Sequence, residues 1–204
     1  VEENINITGT HSNQIGLQVK DAPVGLFIIS KNYNGGTIDL KGDNSIGVYV
    51  ENSEFSNDLS GKISVGTNSI GIYATPANSK SYADISNAGV ISIGENSIGM
   101  YLYQPYIDTN FRITNYSIGK GNIESNSNNA IGMVTNISDG KIDISSPDNE
   151  REILNNFSKI TLTGDKSIGI FATGKGKYRV INDRDNFGGI GTIKIGDSSD
   201  KYNP

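Results

Sequence analysis

The sequence predicts an all-β fold, a parallel β-helix of about seven coils, on three observations. The first is repetition. A polar turn, then Ile-Gly, then an apolar residue and usually an aromatic recurs at Gly42–Tyr49, Gly66–Tyr73 and Gly94–Tyr101. Looser copies span Ser12–Leu17, Asn128–Met133 and Gly164–Phe171. The second is alternation of apolar and polar residues just upstream, as in Thr37-Ile38-Asp39-Leu40 and Lys62-Ile63-Ser64-Val65, which is the pattern of a strand. The third is composition. Ile occurs 30 times and Leu 7 times, and β-branched residues favour strands. Asn and Gly each occur 25 times, and both tolerate the left-handed backbone of tight turns.

Each repeat therefore reads as strand, Gly/Asn turn, strand and a loop of variable length. A third short strand is suggested by Tyr82–Asn87. Ile5–Thr8 opens the first unit, Gly89–Ile93 and Lys159–Leu162 open later ones, and Gly191–Gly196 starts a seventh. The Ile-Gly positions fall 31, 24, 28, 33 and 37 residues apart, so a minimum near one β-helix turn is extended by insertions in the loops. Few Leu exclude a leucine-rich repeat, and the two-residue period excludes a helical solenoid. Strict alternation places Ile46, Val48 and Val50 on the inner face, with Gly47 and Tyr49 on the outer one. Stacking the copies then predicts an inward Ile ladder at Ile15, Ile46, Ile70, Ile98, Ile131 and Ile168. A second apolar rung follows at Leu17, Val48, Ile72, Met100, Met133 and Ile170. The matching Gly ladder implies a bend or a close backbone approach that a Cβ would block. A turn ladder of Asn13, Asn44, Asn68, Asn96 and Asn129, with Lys166 as the exception, reads as structural, stacked amides satisfying the turn; ion or sugar binding along it is the alternative.

Apolar residues make up 35 % of the 204, which suits a thin core in an elongated solenoid. Net charge is −5 with acids and bases interspersed, and no basic stripe speaks for nucleic acid. No apolar run reaches the length of a membrane span. Cys is absent, so stacked coils are the expected source of stability. The chain begins mid-pattern, and residues 1–204 are expected to be one β-helix segment of a larger protein.

The phrase Asn-Ser-Ile-Gly-apolar-Tyr, preceded by Gly-x-Ile-x-apolar-Gly, resembles the passenger repeats of large fusobacterial autotransporter adhesins of the RadD type. The resemblance runs from Ile5 to Gly196, with departures at Lys166, at Val134 in place of the aromatic, and in insertions after Leu102 and Ala172. It implies a right-handed parallel β-helix on the bacterial cell surface, anchored through an outer-membrane barrel outside this segment. It further implies attachment to host-cell or bacterial receptors, protein or glycan. The family carries no catalytic motif to transfer.

Chemistry-bearing residues are sparse. The carboxylates are scattered in turns, and Asp39 and Asp143 occupy outward strand positions as solubility alone would place them. An enzyme such as a polysaccharide lyase or hydrolase would need them clustered in one groove. His11 is the single histidine, at a turn, so neither a histidine metal site nor Cys–His catalysis is expected. Asp183–Gly188 fails as a calcium loop because Phe187 stands where an oxygen ligand belongs. No catalytic residue, metal ligand or cofactor is expected. Two features point to recognition. The segment 101–112 packs Tyr101, Tyr103, Tyr106, Phe111 and Arg112 into an apparent insertion between coils, and aromatics and Arg are common binding anchors. Tyr49, Tyr73, Tyr101 and Phe171 form an outward aromatic ladder interrupted at Gln18 and Val134, which binds sugars or simply stabilises neighbouring strands. The basic insertion 174–179 reads as a solvated mixed loop or an anionic-glycan contact. Asn6, Asn115, Asn136 and Asn156 sit in glycosylation sequons that an Asn/Ser-rich chain produces by chance. A purely structural stalk remains the other non-catalytic reading.

Overall fold

The computed structural model describes residues 6–21, 32–76, 82–105, 110–116, 121–137, 151–174, 178–184 and 188–196. Its strands, numbered along the chain, lie in three sheets. The first sheet holds β1 (Ile7–Gly9), β4 (Thr37–Leu40), β7 (Lys62–Val65), β10 (Val90–Ile93), β13 (Asn122–Ser125), β16 (Lys159–Leu162) and β19 (Thr192–Ile195). The second holds β2 (Ile15–Lys20), β5 (Ile46–Glu51), β8 (Ile70–Thr75), β11 (Ile98–Gln104), β14 (Ile131–Ile137) and β17 (Ile168–Gly174). The third holds β3 (Asn32–Asn34), β6 (Phe55–Asn57), β9 (Tyr82–Asn87), β12 (Asn110–Asn115), β15 (Arg151–Asn156) and β18 (Tyr178–Asn182). Neighbours within each sheet are three strands apart in sequence and pair parallel. The chain therefore visits each sheet once per turn, and the described residues form a parallel β-helix of six full coils and the first strand of a seventh. Tyr82–Asn87 is the third strand of its coil, as its alternation suggests, and every full coil has a counterpart.

The copies of the repeat stack residue on residue: Ile38 pairs with Ile63, Ile63 with Ile91, and Ile123 with Ile160. These first-sheet isoleucines, with Leu40, Val65 and Leu162, fill the interior. The second sheet contributes Val48, Ile72, Met100 and Met133, each 0 % exposed, as the second apolar rung requires. The third sheet closes the core with Phe55, Ile85, Ile113 and Leu154. Each such side chain contributes about 1.5–3 kcal/mol on burial, so stability is spread along the rod, coil by coil.

The Ile of the Ile-Gly phrase does not point inward. Ile15 and Ile168 are 50 % and 41 % exposed, and Ile46, Ile70, Ile98 and Ile131 are partly buried. The reason is a break in alternation at the corner, where Gly47 and Val48 are consecutively buried, as are Gly71 and Ile72. The glycine thus takes the inward position. A Cβ on Gly47 would stand 2.6 Å from the Gly71 carbonyl oxygen and 2.6 Å from Ile63 Cγ2. The Gly ladder leaves room for the first-sheet isoleucine of the following coil, and the phrase's own isoleucines are displaced to the outer side.

The turn residues Asn13, Asn44, Asn68, Asn96, Asn129 and Lys166 all have φ between 52° and 61°, the left-handed region. Asn is chosen here for backbone conformation. Among these turn amides, Asn129 Nδ2 donates to Asn96 Oδ1 at 2.9 Å, but the pair is exposed. The buried amide ladder lies elsewhere, at the ends of the third-sheet strands. Asn34, Asn57, Asn87, Asn115, Asn156 and Asn182 form a chain in which each Nδ2 donates to the next Oδ1 at 2.7–2.9 Å. The remaining amide hydrogens of Asn34, Asn57, Asn87, Asn115 and Asn156 reach main-chain carbonyls, as from Asn115 to Lys159 at 3.1 Å, while Asn182, the last member, is exposed. Two of the glycosylation sequons, at Asn115 and Asn156, are members of this ladder and 0 % exposed, so they are scaffold. A second ladder uses the Ser of the phrase: the Ser45 N–H donates to Ser69 Oγ and the Ser69 N–H to Ser97 Oγ, both at 3.0 Å.

The apparent insertion at 101–112 is mostly strand. Tyr103 and Gln104 extend β11, and Phe111 and Arg112 belong to β12, with Phe111 opposite Ala83 and Arg112 opposite Asp84. The coil needs a third strand at this point, and Ile113, 1 % exposed, supplies its inward anchor. Of the basic stretch 174–179, Gly174 ends β17 and Tyr178 and Arg179 begin β18, while residues 175–177 lie outside the described residues. Tyr106 and Asp143 lie outside the described residues.

Candidate binding face

Parallel in-register stacking sets equivalent side chains of successive coils about 4.8 Å apart. On the outer side of the second sheet this brings Gln18, Tyr49, Tyr73, Tyr101, Val134 and Phe171 into one column. Tyr49 and Tyr73 stack with centroids 5.5 Å apart and planes inclined by 15°. Tyr73 and Tyr101 meet edge to face, 5.4 Å apart at 83°. The neighbouring column places Tyr103 beside Asn136 and Glu51 beside Lys20. Tyr103 also raises the Tyr73 pKa electrostatically, so the two phenols lie within interaction range. On the other flank, across the Gly corner, runs the displaced isoleucine column. The face is thus an aliphatic strip beside an aromatic strip, edged by polar groups.

Hydrogen bonds fix the aromatic strip. The Tyr49 hydroxyl donates to Glu51 Oε2 at 2.8 Å, and Lys20 Nζ lies 3.0 Å from Glu51 Oε1. Asn136 Nδ2 donates to the Tyr101 hydroxyl oxygen at 3.4 Å. Burial, and then the bond to Glu51, pushes the Tyr49 pKa up to about 12. Burial, with Tyr101 and Tyr103 nearby, raises that of Tyr73. Glu51, first by its hydrogen bond and then by its charge, raises that of Lys20. Tyr49 and Tyr73 therefore stay protonated at neutral pH and present ring faces and O–H groups.

Of the residues singled out from sequence, Tyr49, Tyr73, Tyr101 and Tyr103 come together here. Phe111 and Arg112 belong to the third sheet and are not part of the face. Sequence reasoning misses Glu51, Lys20, Asn136 and the isoleucine strip. The first three are recoverable by writing the copies in register two residues beyond the Tyr column, where Lys20 falls on Glu51. His11 sits at an exposed turn, its N–H donating to Gln14 Oε1 at 3.2 Å. Asp183 serves the turn at the end of β18: its Oδ1 accepts from the Arg184 N–H at 2.7 Å and its carbonyl from the Gly191 N–H at 2.8 Å. Among the described residues, no group of three or more His, Cys, Asp or Glu side chains is placed to hold a metal ion.

Fold and face together define a β-solenoid with a lateral apolar and aromatic strip. No family model, no curated protein and no solved structure matches the chain.

Proposed function

We propose that this chain is a non-catalytic adhesin segment, part of an autotransporter-type passenger displayed on the bacterial surface and anchored through an outer-membrane barrel outside the segment. The β-helix serves as a rigid rod, and the second-sheet face contacts a protein or glycan receptor on a host or bacterial cell. The observation that carries the reading is the Tyr49–Tyr73–Tyr101 stack with Tyr103 beside it. Rigid, partly exposed tyrosines on a pre-formed sheet bind with little ordering cost, and such residues dominate recognition surfaces. The repeat supports the rod, since a motif written six times is suited to scaffold.

Labelled chain incubated with intact epithelial or bacterial cells tests the proposal. Attachment that the triple variant Y49A/Y73A/Y101A loses supports the face. Attachment retained by that variant but lost when residues 106–109 are replaced by Gly-Ser assigns recognition to the segment holding Tyr106. No attachment by the native chain leaves the stalk reading, which the structure favours in one respect: the ring stack and the Tyr49–Glu51 bond also brace the sheet.

A further inference from the structure

A cleft of about 330 Å³ opens on the outer side of the first sheet, at its edge toward the turn, and is walled by β10, β13 and β16. One departure from the repeat lies at it. Ser125 occupies the column that holds Leu40, Val65, Ile93 and Leu162 in other coils, so a small polar residue replaces a large apolar one. Turn length also steps here. Four residues lie between Ile93 and Ile98, and five lie between Ser125 and Ile131 and between Leu162 and Ile168.

The lining chemistry is specific. Glu124 is the one carboxylate among the lining residues, with hydroxyls from Ser92, Thr161 and Thr163 and the Asn126 amide around it. The carboxylate is held from two sides: Ser92 Oγ donates to Oε1 at 2.9 Å and Asn122 Nδ2 donates to Oε2 at 2.6 Å. Each carboxylate oxygen accepts more than one hydrogen bond, so Glu124 retains capacity toward the cleft while its orientation is fixed. A calcium ion asks for six to eight oxygens with several negative charges. One carboxylate, already facing two donors, does not meet that demand. A neutral ligand with adjacent hydroxyls fits it instead, because each of its O–H groups donates to the carboxylate while its oxygens accept from the Thr161 hydroxyl and the Asn126 amide; the Ser92 hydroxyl is already given to Glu124, that of Ser125 to the Ile93 carbonyl and that of Thr163 to the Ser125 carbonyl. The volume lies at the low end for ligand pockets, which fits one ring.

We propose that this cleft binds a single neutral hexose residue, terminal on a glycan, with Glu124 accepting from two adjacent hydroxyls. The site is on a different sheet from the tyrosine face and does not rest on the adhesin reading. The experiment is saturation-transfer NMR on the whole chain with methyl glycosides of glucose, galactose and N-acetylglucosamine, without added metal. Signal from at least one glycoside is expected. Glu124→Gln should reduce it at least fivefold and Thr161→Tyr, which fills the cleft from an outward position, should abolish it, with far-UV circular dichroism unchanged in both. Tyr73→Ala should leave it intact. The proposal is overturned by no transfer to any glycoside, by transfer indifferent to Glu124→Gln and Thr161→Tyr, or by transfer lost only in Tyr73→Ala. The last result would place sugar on the tyrosine face.

Discussion

The side-chain amide of Asn57 donates to the side-chain oxygen of Asn87, 2.8 Å away, and both residues are 0 % exposed. Asn87 passes the pattern on to Asn115 at 2.9 Å. Buried amides linked in this way polarise one another, and a gap leaves a donor and an acceptor unpaired in a dry interior. Asn87→Ala should destabilise the chain by about 2–4 kcal/mol, at roughly 1–3 kcal/mol for each orphaned group. Asn182→Ala, at the end of the ladder, should cost less. Urea denaturation followed by circular dichroism compares the two, and an equal, small effect would deny the ladder its structural role.

Gly71→Ala should be among the most damaging single-methyl changes available. The added Cβ meets Gly99 O and Ile91 Cγ2 at 2.6 Å, and neither is the loose end of a flexible surface chain. Overpacking of this kind costs about 1–3 kcal/mol, and more when backbone must move. The check is the thermal midpoint of the purified variant; an unchanged midpoint would show that the coils spread freely.

Two positions where the repeat lapses should respond in the opposite direction. Lys166 holds φ 55° where five other turns use Asn. Lys166→Asn should stabilise by up to about 1 kcal/mol by relieving the left-handed penalty. Ala130 interrupts the serine column between Ser97 and Ser167, and the Ala130 N–H itself donates to Ser167 Oγ at 3.3 Å. Ala130→Ser offers the Ser97 N–H the acceptor that Ser45 and Ser69 already have, with a gain of about 0.5–1 kcal/mol. Denaturation midpoints should rise for each, and a fall in either would contradict the register.

Alkaline pH should loosen the tyrosine face. Tyr49 ionises near 10 when unfolded and at about 12 when folded, because burial and the bond to Glu51 favour the neutral phenol. A raised folded value means that its contribution is fully present below pH 10 and is lost between about 10 and 12. No change from this residue is expected between pH 6 and 9. Tyrosinate absorbance should show a late-titrating component that Tyr49→Phe removes. If every phenol titrated together near 10, the face would not be packed as described.

The fold was legible because its signals are local. Alternation at Ile38-Asp39-Leu40 and the Asn of each turn act within a few residues, and repetition multiplied a weak signal. The inward Ile ladder failed for an equally local reason: alternation breaks at Gly47–Val48, and a glycine gives no hydropathy sign of facing the core. The buried Asn ladder was hidden because its members lie 23, 30, 28, 41 and 26 residues apart and share at most a short apolar-polar-Asn ending, as in Phe55-Ser56-Asn57, Ile85-Ser86-Asn87 and Ile113-Thr114-Asn115. The aromatic column was readable from Tyr49, Tyr73 and Tyr101. The partners that hold it, Glu51 and Asn136, act across strands and emerge only once register is known. Phe111 and Arg112 were read as loop because the third-sheet strand, here β12, lies outside the Ile-Gly phrase and at varying distances from it.

The most direct measurement of the central claim is binding of labelled chain to intact receptor-bearing cells by flow cytometry, native against Tyr73→Ala. Tyr73 stands between Tyr49 and Tyr101, and truncating a central anchor of this type costs about 2 kcal/mol, roughly a 30-fold rise in Kd. That rise, with an unchanged circular dichroism spectrum, is the predicted result. Saturable binding with the same Kd in both proteins would contradict it and move recognition off the tyrosine face.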